Sequence, residues 1–360
     1  MSANVETMMY VGATPWHGLG KFVGDKERTS AEAIIEAELN WPVEKRRLSY
    51  QLNNKTSKEQ GDVFALVRGT DQKYLSHCGK GYTPFQNTEA FEFFDEVVGQ
   101  KAAIYHTAGS LQGGRMIWIL AKLNGVFQVK GDDIIERYLL LMNKHQGGFS
   151  AKILCTPIRV VCANTLNMAI EGADVSSIFR VRHSSNVLGK VKDIQEKLSA
   201  VDPYFKKVLD ASRLMAGEQI TSKQLDEFLI QLEILRANER ENEVTKYLKE
   251  KGTTIPGNVH QEAIEYARSG DEYKKVVELF ETGKGNELPG VKGTWWAAYN
   301  AITEYTDWNS PVRQTKNNKS EGDQAARLGS AWFGNGAKLK TEAFSVAMNM
   351  IAKGYMIAKG

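Results

Sequence analysis

Near residue 185 the hydrophobic period of this chain changes, and that change limits the folds open to it. Before it, apolar residues alternate or gather in short β-rich runs; after it they recur at three and four residues. "RRLSYQLN" (46–53) alternates, "DVFALVRG" (62–69) is a short apolar run, and "KYLSHCG" (73–79) follows a Thr-Asp turn signal. "NTEAFEFFDEVV" predicts a helix to residue 98, with Asn87 as its N-cap and Gly99 as its stop. "KAAIYHTAGSLQGGRMIWILAKLN" (101–124) predicts a hairpin around "AGSLQGG", and "RYLLLMNKH" pairs with "FSAKILC" around Gln146-Gly147-Gly148. Beyond the change, periodic runs at 187–215, 222–250, 258–268 and 271–282 predict helices, followed by "WWAAYNAITEYTDW" and a helical tail from 337 to 353. The expected fold is therefore α+β. Residues 1–185 form an antiparallel sheet with packed helices, and residues 186–360 form a mainly helical region that can pack back on that core.

The stretch "FSAKILCTPIRVVCANTLNMAIEG" (149–172) predicts a strand running into a helix. Thr156 would cap that helix, Pro157 suits its first position, and Gly172 ends it. Ile158, Val161, Cys162, Thr165, Met168 and Ala169 would form its buried stripe. Arg159 then falls in the first turn, where the helix dipole disfavours a cation unless an anion sits there too. "SIFRVRH" (177–183) predicts a further strand with Arg180 and Arg182 on one side.

Charge points the same way. Residues 101–213 hold 16 Lys and Arg against 9 Asp and Glu, whereas residues 214–290 hold 10 against 15. A basic middle beside an acidic segment suits an anionic partner. The candidate nucleic-acid-binding residues are Lys144, His145, Lys152, Arg159, Asn164, Arg180, Arg182 and Lys190, with Tyr138, Phe149 or Phe179 to stack on bases. The alternative is that these cations are scattered over solvated faces and that Arg159 pairs with a neighbouring acid.

Other chemistry has weaker signals. Asn300, Glu304 and Asp307 fall at i, i+4 and i+7 of a predicted helix, a spacing that serves a divalent cation or simply a solvated face. "WHGLG" (16–20) lacks the strand and third glycine of a dinucleotide loop and is better read as a docked arm. His77 and Cys78 are adjacent in a strand and so point to opposite faces. There is no Walker loop, H-E-x-x-H or G-x-S-x-G, so no cofactor is expected. The polar "NSPVRQTKNNKSEGDQ" (309–324) reads as a loop.

No apolar run approaches the roughly 18 residues of a membrane span, and "MSANVETMMYVG" lacks the layout of a signal peptide. Three cysteines, Cys78, Cys155 and Cys162, without a C-x-x-C pair argue for a reducing compartment, in line with the cytoplasm of a bacterial host.

Five motifs carry a resemblance: "TPWHGLG", "PIRVVCANTLNMA", "RVRHSSNV", "WWAAYNAITEYTD" and the late "AWFG" with its lysine-rich sequel. Spread from residue 14 to about 340, they resemble the phage- and plasmid-related family of unknown function, domain of unknown function number 932. That resemblance implies a protein of mobile genetic elements and brings no established activity. The order of strands, helix and basic residues also resembles, at the level of fold only, the single-strand annealing recombinases that phages encode, which assemble as rings or filaments on DNA. Three functions follow as expectations. The first is a homo-oligomeric, non-enzymatic protein that binds single-stranded DNA in recombination. The others are a metal-dependent enzyme on nucleic acid or nucleotides, using Glu304 and Asp307, and an anti-defence factor that binds a host protein through its acidic helices.

Overall fold

The computed structural model describes residues 5–12, 20–26, 28–54, 56–98, 103–159, 164–165, 178–182, 201–232, 268, 270–311, 330–331 and 334–359. The chain is an α+β protein, with strands mostly in its first half and helices mostly in its second. The strands are β1 (Val5–Tyr10), β2 (Lys21–Phe22), β3 (Val43–Asn53), β4 (Thr56–Arg68), β5 (Tyr74–Gly79), β6 (Ala103–Leu111), β7 (Met116–Lys130), β8 (Asp133–Lys144), β9 (Ser150–Arg159), β10 (Asn164–Thr165) and β11 (Ile178–Arg182). The helices with assigned bounds are α1 (Ser30–Glu36), α2 (Asn87–Val98), α3 (Val201–Gly217), α4 (Asp271–Thr282), α5 (Trp295–Glu304) and α6 (Asn335–Lys359); a π-helical turn, Tyr305–Asn309, follows α5. Residues 222–232 are also helical.

The large sheet runs β10-β9-β8-β7-β6-β1-β2, with β11 also lying beside β9. Its pairs are antiparallel except β1–β2. A separate sheet runs β3-β4-β5. Local sequence explains the longest hairpin. Gly131, with φ +56°, takes the first central position of the two-residue turn between Lys130 and Asp133, where a positive φ is needed.

Both faces of the large sheet are buried. Ile117, Ile119, Leu139, Leu141, Ile153 and Cys155 face one core, shared with Phe205, Trp296 and Tyr299 of the helical half. Trp118, Leu120, Tyr138 and Leu140 face a second core with Met8, Tyr10, Leu111 and Ala331. A strand covered on both sides reads as a continuous apolar run, which is why "MIWIL" and "YLLLM" do not alternate. The helices pack back on the sheet through α3 against β7 and β9. Polar ties fix this docking: the buried Trp296 indole donates to Asp133 Oδ2 at 2.7 Å, and Lys130 Nζ donates to the Ala216 carbonyl at 3.0 Å. Arg137 sits over the rings of Phe127 and Phe205 while its guanidinium bonds Asp202 at 2.5 Å.

Two local expectations are corrected. Residues 150–159 are one strand, so no helix starts at Thr156-Pro157; Thr156 pairs with Tyr138 and Pro157 with Arg137 in an unbroken ladder. Pro157 is tolerated because β11 covers only Ser150–Leu154 and β10 only Ile158–Arg159, leaving its other side without a described partner strand. Asn87 is not a side-chain cap. It is buried, its Nδ2 donating to the Leu39 carbonyl at 2.8 Å and its Oδ1 lying 2.9 Å from His145 Nε2. Among the described residues no helix is long and apolar enough to cross a membrane.

Candidate nucleic-acid interface

The turn from β8 to β9 is anchored from three directions. His145 N–H donates to the Arg115 carbonyl at 2.8 Å, Gly147 N–H to the His77 carbonyl at 3.1 Å, and Phe149 N–H to the Gln146 carbonyl at 3.3 Å. Gly147 lies against the Cys78 backbone, where a Cβ would come within 3.0 Å of Cys78 Cα. This backbone-anchored corner lies between Lys144 and Lys152. Met142 pairs with Lys152 and Met116 with Lys144, so Lys144 and Lys152 lie at one end of one sheet face, with Arg115 just before β7 close enough for its charge to reach Lys144. Partial burial, and then the charges of Arg115 and Lys152, push the Lys144 ammonium below the usual lysine range. Lys144 Nζ stands 4.0 Å from the ring centroid of Phe149, which is 42% exposed. Among the described residues, neither Lys144 nor Lys152 forms an ion pair with a carboxylate.

The register of β11 extends this set. Arg180 pairs with Lys152 and Arg182 with Ser150, so both occupy sheet positions of the same parity as the two lysines. Arg159 does not join them. It ends β9 opposite Ile135 and Asn164, seven residues from Lys152 in a ladder without a bulge, which is the opposite parity. Asn164, paired to Arg159, goes with it. Arg159 and the pair Arg180 and Arg182 thus stand at sheet positions of opposite parity.

His145 leaves the candidate surface altogether. It is fully buried, bonded to Asn87, with its ring edge-on to Trp41 at 5.5 Å. Tyr138 is buried too, and its hydroxyl donates to Glu136 Oε2 at 2.7 Å, which removes it as a stacking platform. Phe179 pairs with Ile153, at the parity opposite to Lys152. Lys190, residues 16–19 of the "WHGLG" segment and most of the 309–324 loop lie outside the described residues. Sequence reasoning missed Arg115. It follows Gly113-Gly114 and precedes β7, where its carbonyl accepts the His145 N–H and its charge reaches Lys144.

The carboxylates of the C-terminal half are engaged elsewhere. Glu304 accepts the Lys284 N–H at 2.9 Å, and Asp307 meets Lys340 Nζ at 2.8 Å, with neither Asp307 nor Lys340 exposed to solvent. Asn300 Nδ2 donates to the Trp296 carbonyl at 2.8 Å. The π-helical turn that begins at Tyr305 breaks the α-helical spacing expected to align these three. Among the described residues no group of three or more His, Cys, Asp and Glu is placed to hold a metal ion.

Residues 74–332 match the family described as Domain of unknown function (DUF932). The chain belongs to this family. The matched segment takes in β5, the strands from β6 to β11, and the helices α2 to α5, so the cationic corner lies inside the family domain while β1 to β4 and α1 precede it. "TPWHGLG" also precedes it. No curated protein and no solved structure matches the chain.

Proposed function

We propose that this member of the family is a nucleic-acid-binding protein of a mobile genetic element, carried by phages or plasmids, that holds single-stranded DNA for annealing in recombination. One observation carries the proposal: Lys144, within reach of the charges of Arg115 and Lys152, stands over the exposed ring of Phe149 at a backbone-anchored corner. Bringing like charges together in a partly desolvated place is unfavourable, as the lowered affinity of Lys144 for its proton reflects. A phosphate backbone would relieve that repulsion. Phe149 offers a π-face to an unpaired base, a contact worth roughly 1–3 kcal/mol per base and open only in a single strand. Arg180 and Arg182 would carry the backbone across β11. The engaged state of Glu304 and Asp307 weighs against a metal-dependent enzyme using them.

A mobility-shift series with single- and double-stranded oligonucleotides at several salt concentrations tests this. Tighter retention of the single strand, weakened by salt and by Phe149→Ala, is expected. No retention of either at low salt would refute it and favour a protein partner.

A further inference from the structure

Strand β5 lies across the ends of the two hairpins that make the cationic corner. A Cβ on Gly113 would come within 2.9 Å of Lys73 Nζ, and one on Gly114 within 3.4 Å of Leu75 Cδ2. Further along, the Ser76 hydroxyl donates to the His145 carbonyl at 2.6 Å, and the His77 carbonyl accepts the Gly147 N–H at 3.1 Å. Residues 73–77 thus meet first the β6–β7 turn, beside Arg115, and then the β8–β9 turn, beside Phe149. Phe149 follows Gly147 by two residues, so standard backbone dimensions keep the Cα atoms of His77 and Phe149 within roughly 15 Å.

A bulge decides which side chains β5 presents. Tyr74 stands opposite Val67 and Ser76 opposite Leu66, so Leu75 is an extra residue. In a regular strand residues 74 and 77 would point to opposite faces. Here Tyr74 and His77 stand opposite Val67 and Ala65, on the face turned away from the core that holds Leu66 and Cys78. Both are exposed, Tyr74 at 48%, while Leu75, Ser76 and Cys78 between and beside them are buried. The Tyr74 hydroxyl lies 3.4 Å from His77 Nδ1, which keeps the two side chains together. Nearby acids are matched by cations: Arg68 bonds Asp71 at 2.7 Å and Glu6 at 3.0 Å, and Lys73 bonds Glu6 at 2.8 Å. A phosphate backbone therefore meets no excess of negative charge from them.

We propose that Tyr74 and His77 form a second base platform of the cationic corner, so that the site takes at least two unpaired bases of one strand, one on Phe149 and one on β5. This rests on the single-strand reading above and adds the path of the strand, from Lys144 and Phe149 past the turn onto β5. A ring face accepts any base, so the platform is tolerant of sequence. It is closed to a duplex, whose bases already stack on one another.

Fluorescence anisotropy of a labelled single-stranded oligonucleotide at pH 8, over several salt concentrations, tests this. Tyr74→Leu with His77→Leu should weaken binding roughly five- to hundredfold, the loss of one stacked base. The salt slope should not change, because no phosphate contact is removed. Tyr74→Phe with His77→Phe, which keeps both rings and removes the Tyr74–His77 contact, should bind like the parent. The melting temperature of the leucine variant should match the parent's, since both side chains are exposed. A parent that binds and is weakened by Phe149→Ala, with a leucine variant that binds unchanged, overturns this inference and leaves the single-strand reading standing. Equal losses in the leucine and phenylalanine variants make the pair structural, and a loss that also flattens the salt slope makes it a phosphate contact; either overturns the platform. A parent that binds no single strand at low salt overturns both.

Discussion

Replacing Lys340 by methionine should destabilise the protein strongly, although position 340 lies far along the chain from the sheet. Lys340 Nζ meets Asp307 Oδ1 at 2.8 Å with both side chains fully buried. Burial drives the lysine's proton affinity down, and Asp307 pulls it back up. Lys340→Met removes the cation that faces the buried Asp307 carboxylate, at a cost of about 3–5 kcal/mol. At about 2.1 cal/mol/K of unfolding entropy per residue, the 360-residue chain has roughly 0.76 kcal/mol/K, so the melting temperature should fall by about 4–7 °C. Asp307→Leu added to Lys340→Met removes both charges and should recover most of the loss, since an apolar pair of similar volume is often neutral. Scanning calorimetry on the two singles and the double closes the cycle. Additive losses, with the double variant worse than either single, would show that packing rather than the ion pair explains the site.

Gly109→Ala should destabilise by about 1–3 kcal/mol, read from the urea midpoint, because overpacking a filled site forces its neighbours apart. A Cβ there would overlap the Trp118 indole and the Thr7 carbonyl. Stability should also fall as pH drops below the ordinary histidine range. Burial, opposed by Glu136 and assisted by Lys122, holds His106 below its usual pKa, so near pH 6 the unfolded chain binds a proton that the folded chain refuses. Melting temperatures between pH 7.5 and 5 should show this decline, and His106→Gln should flatten it.

The strands were legible where local and tertiary signals agree. The alternation of 46–53 and the glycines between β8 and β9 each mark their elements, and the hairpins form as expected. "CTPIR" misleads because Thr-Pro satisfies helix-start chemistry locally, while the ladder to β8 keeps Ile153, Cys155 and their neighbours in a buried strand. His145 could not be separated from its surface neighbours by sequence, since its burial depends on Asn87 and Trp41, 58 or more residues away. The acid at Asp307 was visible on its helix, but its partner lies 33 residues further on, across the 312–329 segment. Lys144 and Lys152 stood out as cations, whereas their company on one face arises only from strand register.

The central claim is that Lys144 and Lys152 contact phosphates from one end of the sheet. Fluorescence anisotropy of a labelled single-stranded oligonucleotide, titrated at several salt concentrations, measures it most directly. Each lost phosphate contact lowers the salt slope by about 0.7 on a single strand, so Lys144→Ala with Lys152→Ala should weaken binding and flatten the slope by about 1.4. His145→Ala, which removes a buried side chain, should lower the melting temperature and leave the slope unchanged. A lysine double variant that binds with the parent's affinity and slope at every salt concentration would contradict the assignment of this face.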